Sequence, residues 1–386
     1  VNPPIADWGL PKVDELSFSP EDLENYVTAK PAKRYSKALN LFNFHSWMPA
    51  DIDIDNIMDN FDFNDIRIGV TAMSQNLLST ELARVSYGYT GTGHSVVNGR
   101  FTYNGLPLKF GIDATWSDSG QRIGLASDNP APPARGKNYL AIRANAYLPL
   151  VFSAGYHTRT LTPNVQYLYQ NNIALDISEG SYKTGQHIIA ANISWADNVR
   201  RARLDLLPRW GYMLRGSVVA EPARNLYMTT LSAQARVYTP GLFRHHGLSV
   251  AASYQKPVGE GYAPYTVLDI LPRGCRNIHP YEYAAVSANY FFPIAYPDWG
   301  VSGIFFLKRI YASIGGEYAM AKDYFRYGMA ERVIGRDHIW SYGGTLRLDI
   351  GFLRLPSQGT CTASFGVYVP SETGKPYLSV GFSIPL

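Results

Sequence analysis

From about Leu39 onward, apolar residues alternate with polar or small ones in segments of about 9 to 15 residues, the period of strands whose two faces meet different surroundings. In the last segment Leu378, Val380, Phe382, Ile384 and Leu386 share one face, and Tyr377, Ser379, Gly381 and Ser383 share the other. Leu108, Phe110, Ile112, Ala114 and Trp116 likewise oppose Lys109, Gly111, Asp113, Thr115 and Ser117. The alternation predicts strands at 39–48, 64–75, 78–90, 93–104, 107–118, 139–148, 163–172, 184–196, 209–219, 226–238, 245–257, 281–292, 303–318, 338–353, 358–370 and 376–386. That makes 16 strands, with 14 as the alternative because the first segment is the least regular. An even number of antiparallel strands fits a closed barrel with one lipid face and one wet face. Connections 49–63, 119–138, 173–183, 258–280 and 319–337 are long and predicted to point outward. On the opposite side 76–77, 105–106, 239–244 and 355–357 are short, with 149–162 as a longer exception. Residues 1–38 lack the alternation and hold Pro3, Pro4, Pro11, Pro20 and Pro31, which predicts a linker or periplasmic segment ahead of a barrel over 39–386.

Composition narrows the setting. Apolar residues make up 46% of the chain and charged ones only 17%, below the roughly 25% usual in soluble chains. No run approaches the roughly 18 to 20 apolar residues of a spanning helix, so a membrane crossing requires strands in a closed barrel. The 28 Tyr, 17 Phe and 7 Trp exceed what an ordinary core uses and suit the aromatic belts where a barrel meets headgroups. Together these predict an all-β transmembrane antiparallel β-barrel in a Gram-negative outer membrane, with outer-membrane lipid as its first partner. A net charge of +4 is too small to point to nucleic acid. The chain opens at Val1 with neither a charged n-region nor an apolar h-region, which reads as a mature form or the C-terminal part of a longer protein. Cys275 and Cys361 do not make a disulfide framework, although an exported chain tolerates one bridge.

Candidate chemistry is sparse. Asp51, Asp53, Asp55, Asp59, Asp62 and Asp65 could offer oxygen ligands, but the glycine and distal Glu of a calcium loop are missing, so the run reads as a solvated acidic loop. His245 and His246 sit at a predicted turn without the Cys or carboxylate spacing of a zinc site. No G-x-S-x-G or H-E-x-x-H occurs, and no compact nucleophile and base pairing. No enzyme activity, metal or cofactor is expected.

Two segments carry a family resemblance. Tyr377, Gly381, Phe382, Ile384 and Leu386 resemble the C-terminal signal by which outer-membrane barrels are recognised for assembly, although the chain ends on Leu rather than Phe. Pro385 removes a backbone donor near the end, which places weak closure at the seam between first and last strands. Leu271-Pro272-Arg273-Gly274-Cys275, then Asn289-Tyr290-Phe291-Phe292-Pro293-Ile294 and Asp298-Trp299-Gly300, resemble the outer-membrane insertase and two-partner-secretion superfamily, also called bacterial surface antigen barrels. Cys275 stands where that family usually has Phe or Tyr. The resemblance implies that the sixth outer loop folds into the lumen carrying Arg273 and Gly274. A permanently charged guanidinium there needs inward carboxylates, and alternation offers Glu317 and Asp349. Residues 207–211 and 39–47 also look like surface-antigen-type barrels fused behind TolB-like propellers. The implied function is assembly of outer-membrane proteins or polypeptide translocation, with other outer-membrane or periplasmic proteins of such a complex as partners. A membrane anchor for a partner domain and a passive porin-like channel are the alternatives.

Overall fold

The computed structural model describes residues 42–52, 66–124, 133–176, 181–202, 204–222, 227–259, 263–264, 270–275, 278–301, 305–326, 332–352 and 361–383. They belong to one compact unit, Phe42–Leu386. Residues 1–41, including the predicted linker, and Ile384, Pro385 and Leu386 lie outside the described residues.

Every regular element among the described residues is a strand. The first eight are β1 (Phe44–Met48), β2 (Asp51–Ile52), β3 (Ile66–Gln75), β4 (Glu81–Tyr89), β5 (Ser95–Tyr103), β6 (Lys109–Ser117), β7 (Ile123–Gly124) and β8 (Tyr139–Tyr147). Next come β9 (Leu150–Ala154), β10 (His157–Asp176), β11 (Ser181–Val199), β12 (Gly211–Ala220), β13 (Tyr227–Pro240), β14 (Gly247–Val258) and β15 (Ala263–Pro264). The last are β16 (Ile278–Ala295), β17 (Trp299–Val301), β18 (Phe305–Arg326), β19 (Arg332–Phe352), β20 (Cys361–Pro370) and β21 (Tyr377–Ser383). The longer strands form one antiparallel meander: β1, β3, β4, β5, β6, β8, β10, β11, β12, β13, β14, β16, β18, β19, β20 and β21 each pair with the next. Short β2, β9 and β17 extend β3, β10 and β18, while β7 and β15 pair in parallel with β10 and β13.

The two faces of this sheet invert the usual order of a soluble protein. On β18, Ser313 and Glu317 are buried while Ile314 and Tyr318 are exposed. On β19, Ser341, Thr345 and Asp349 are buried while Trp340, Tyr342 and Leu346 are exposed. Ladder register carries the apolar face across the strands: Ile314 opposes Gly344, which opposes Val367, which opposes Leu378. Ala312, Leu346, Phe365 and Val380 form the adjacent row. An apolar patch beyond a few hundred Å² is rare on a soluble monomer. Polar residues such as Thr230, Gln234, Ser253, Gln255 and Ser287 occupy the buried face instead. Ile350 is an exception, buried although it falls on the apolar side of the alternation.

Several boundaries differ from expectation. The connection 149–162 contains β9 and the first residues of β10, which form a hairpin of their own. The predicted outer loops 173–183 and 319–337 are largely strand, because β10 runs to Asp176, β11 starts at Ser181, β18 runs to Arg326 and β19 starts at Arg332. The alternation is broken at Asn171 and Asn172, where β10 bulges, and at Lys322, in line with Ile314 and Tyr318, yet backbone pairing continues. Asp51 is not solvated: it is buried and accepts a hydrogen bond from Arg67 Nη1 at 3.2 Å. The other aspartates of that run lie outside the described residues. The predicted partnership of first and last strands is absent among the described residues, where β1 pairs with β3 and β21 with β20.

Candidate functional site

The buried face is mostly polar, and buried apolar side chains gather into a cluster at one place. Ala251, Tyr283, Ala285, Ala319, Ala321 and Ile339, from β14, β16, β18 and β19, form an apolar floor beneath Ile270, with Leu271 and Cys275 packed against it. The alanines leave room for a chain segment to lie on the sheet. Tyr283 secures it by donating from Oη to Ile270 O at 2.7 Å.

Arg273 provides the polar anchor. Its backbone N–H donates to Glu317 Oε2 at 2.8 Å and to Ser341 Oγ at 2.9 Å. Its Nε lies 3.1 Å from Glu317 Oε1, and Ser341 Oγ donates to Glu317 Oε2 at 3.0 Å. Glu317 therefore receives a charge-assisted bond and two neutral ones while buried. Register explains the convergence: Ser287, Glu317 and Ser341 are consecutive cross-strand partners on β16, β18 and β19. Asp349, the other predicted partner of Arg273, is engaged elsewhere, by Arg309 Nε and by Thr362 Oγ1 at 2.7 Å.

Tyr368 supplies a second contact. The Arg273 guanidinium lies 4.7 Å from the Tyr368 ring centroid, and its Nη1 donates to Tyr368 Oη, which also bonds Thr345 Oγ1. The ring lies flat because glycines flank it: a Cβ on Gly343 or Gly366 would stand 2.6 Å from Tyr368 ring atoms. Gly274 turns the chain with φ of 80°, a conformation most side chains avoid. It packs against Tyr377 and Pro370 on the last hairpin, 3.2 and 3.3 Å from where its Cβ would be. The segment 270–275 thus reaches from β14 to β21.

Cys275 adds no nucleophile. Burial pushes its thiol up to about 11, with Glu372 and Glu317 nearby acting in the same direction, so it stays protonated at neutral pH. Both Cys275 and Cys361 are free thiols.

The remaining predicted residues are placed as follows. Tyr377 opens β21, Gly381 opposes Ser364 and Phe382 opposes Ala363. Ile384 and Leu386 lie outside the described residues. His245 has a carboxylate partner that sequence spacing did not disclose, with Nδ1 2.7 Å from Asp205 Oδ1, and His246 Nδ1 lies 2.8 Å from Tyr290 Oη. Among the described residues no group of three or more His, Cys, Asp or Glu could hold a metal. Sequence reasoning missed Tyr368, Tyr283, Ser341 and the alanine floor. A usable signal was present: Ala251, Ala285, Ala319 and Ala321 are small and apolar at positions where the other inward residues are polar.

No protein-family model and no curated protein matches this sequence. Among solved structures, the chain is similar to BamA from Haemophilus ducreyi lacking POTRA domains 1-3, at 11% identity and a TM-score of 0.43, over 83% of this chain and 67% of that one. It is also similar to CdiB from Escherichia coli, at 11% identity and a TM-score of 0.47, over 83% of this chain and 59% of that one. The chain therefore spans about two thirds of the first structure and 59% of the second.

Proposed function

We propose that residues 39–386 form a transmembrane β-barrel of a Gram-negative outer membrane, closed between β1 and β21 as 16 strands, that inserts or translocates polypeptide. The observation that carries the membrane reading is the inversion of the sheet, with aromatic and aliphatic side chains exposed and Ser, Thr, Gln, Glu and Asp buried. Lipid covers the first face at no cost, and water or the segment 270–275 covers the second.

The translocator reading rests on two features. Segment 270–275 lies on the polar face, held by Arg273 and Glu317, which supports a lumen that is plugged rather than open. Among the described residues β1 and β21 each have one ladder partner, and a seam zipped only weakly between them offers N–H and C=O groups that template an incoming strand. Pro385, two residues past the end of β21 in the sequence, has no backbone N–H to donate, which supports a weak seam. No chemical step is involved, and the partners are lipid and proteins of an assembly or secretion complex.

Planar-bilayer recording tests this reading. The intact chain is expected to give small, flickering conductance, and deletion of 258–280 to raise it about tenfold, into the range of open barrels. Large stable steps from the intact chain would instead identify a passive pore. Depletion in cells separates the remaining alternative: loss of other barrels from the outer membrane supports insertion, and normal assembly supports an anchor.

A further inference from the structure

The exposed apolar face is not uniform, and one part of it has the form of a lipid site. Register places Ile193, Gly216, Ala233 and Tyr254 in one row across β11 to β14. The next row reads Leu161, Trp195, Leu214, Ala235 and Ala252 across β10 to β14. Gly216, Ala233, Ala235 and Ala252 leave a trough between larger neighbours, a groove of about 500 Å³. That volume lies within the roughly 300 to 1,000 Å³ of sites that hold small molecules.

The following row changes character. It reads Phe152, Arg159, Asp197 and Tyr212. Asp197 is buried, and its two oxygens engage two basic side chains: Oδ1 lies 2.7 Å from His157 Nδ1, and Oδ2 accepts from Arg159 Nε at 2.8 Å. Arg159 and His157 remain almost half exposed. Each keeps donors unused among the described residues, the Nη nitrogens of Arg159 and Nε2 of His157. Trp195 Nε1, in the groove lining, donates at 3.2 Å to Tyr212 Oη, in the row of Arg159 and Asp197. Indole and phenol groups prefer the depth of lipid headgroups. Arg159 stands two residues from Leu161, about 7 Å along the strand. An apolar trough, an aromatic pair and a fixed guanidinium therefore follow one another in the order of acyl chain, glycerol ester and phosphate.

We propose that this face binds one anionic diacyl phospholipid of the bilayer, its acyl chain in the trough over Gly216, Ala233 and Ala235 and its phosphate on Arg159 and His157. The inference rests on the transmembrane reading above. Asp197 acts as a positioning residue, because its two carboxylate oxygens engage both His157 and Arg159. The occupant is an anion because the half-exposed Arg159 guanidinium is a permanent cation with unused Nη donors.

Native mass spectrometry of the detergent-solubilised full chain, offered equal amounts of phosphatidylglycerol and phosphatidylcholine with the same acyl chains, tests it. One phosphatidylglycerol is expected to be retained, preferred about tenfold. Arg159→Gln combined with His157→Gln should bring the preference close to unity, whereas Arg159→Lys should keep most of it. Ala235→Trp, which fills the trough and leaves Arg159 and His157 in place, should abolish retention of both lipids. A heat-dependent gel shift reports folding of every variant. Folded wild type without retained lipid, or a preference unchanged in the double variant, overturns the lipid site alone. A chain that neither enters bilayers nor shows the gel shift overturns the transmembrane reading and the lipid site with it.

Discussion

Ile314→Arg is expected to impair insertion of this chain into bilayers by about 2–4 kcal/mol, roughly 30- to 700-fold in the folding equilibrium, the cost of a cation facing the bilayer midplane from a barrel strand. Ile314 lies in the middle of β18 on the apolar face and is 56% exposed. In a soluble protein an exposed Ile changed to Arg would be nearly neutral. Leu77→Arg provides the contrast. Leu77 is more exposed still, at 82%, but lies in the turn between β3 and β4. At that rim the penalty falls to about 0–1 kcal/mol. Urea titration of the inserted fraction in vesicles measures both. Equal, small effects of the two variants would mean that water, not hydrocarbon, meets β18.

Glu317→Ala is expected to release the segment 270–275 and to reproduce much of the conductance gained by deleting 258–280. Glu317 accepts Arg273 Nε, Arg273 N and Ser341 Oγ, and its loss leaves a cation and two donors on a buried face. Breaking a fully buried pair costs about 3–5 kcal/mol. About a third of the Arg273 side chain is exposed, and solvent screening reduces the figure to about 2 kcal/mol, near thirtyfold in the docking equilibrium. Limited proteolysis near Arg273 and single-channel recording read it out. Asp349→Asn should change neither, since Asp349 is held by Arg309 and Thr362. An Asp349→Asn chain that opens while Glu317→Ala stays closed would overturn the assignment of the anchor.

The parts of this architecture legible in the sequence are those governed by alternation. Each predicted segment from 64–75 to 376–386 overlaps an observed strand, because a sheet with one apolar and one polar face writes a period of two into every strand. The same period placed Glu317, Thr345 and Asp349 on one face and Ile314 and Leu346 on the other, as they are in the structure. Alternation is a weaker guide in the extensions of β10, β11, β18 and β19, where Asp176, Lys183, Lys322, Asp323 and Arg336 break up the apolar pattern of the sequence while backbone pairing continues. Choosing Glu317 over Asp349 needed cross-strand register, which brings Glu317 beside Ser341 but Asp349 beside Arg309. Asp51 and Asp205 were illegible for a similar reason, since their partners Arg67 and His245 stand 16 and 40 residues away.

A transmembrane barrel requires that the face bearing Ile314 and Tyr318 touch lipid. Nitroxide side chains introduced singly from Tyr311 to Ala321 along β18, with the protein in phospholipid vesicles, test this directly. Collision with oxygen is expected to rise and fall with a period of two, high at 312, 314, 316, 318 and 320, while a water-soluble nickel reagent reaches those positions least. Access of the nickel reagent to position 314, or oxygen collision without the two-residue period, would contradict a transmembrane barrel.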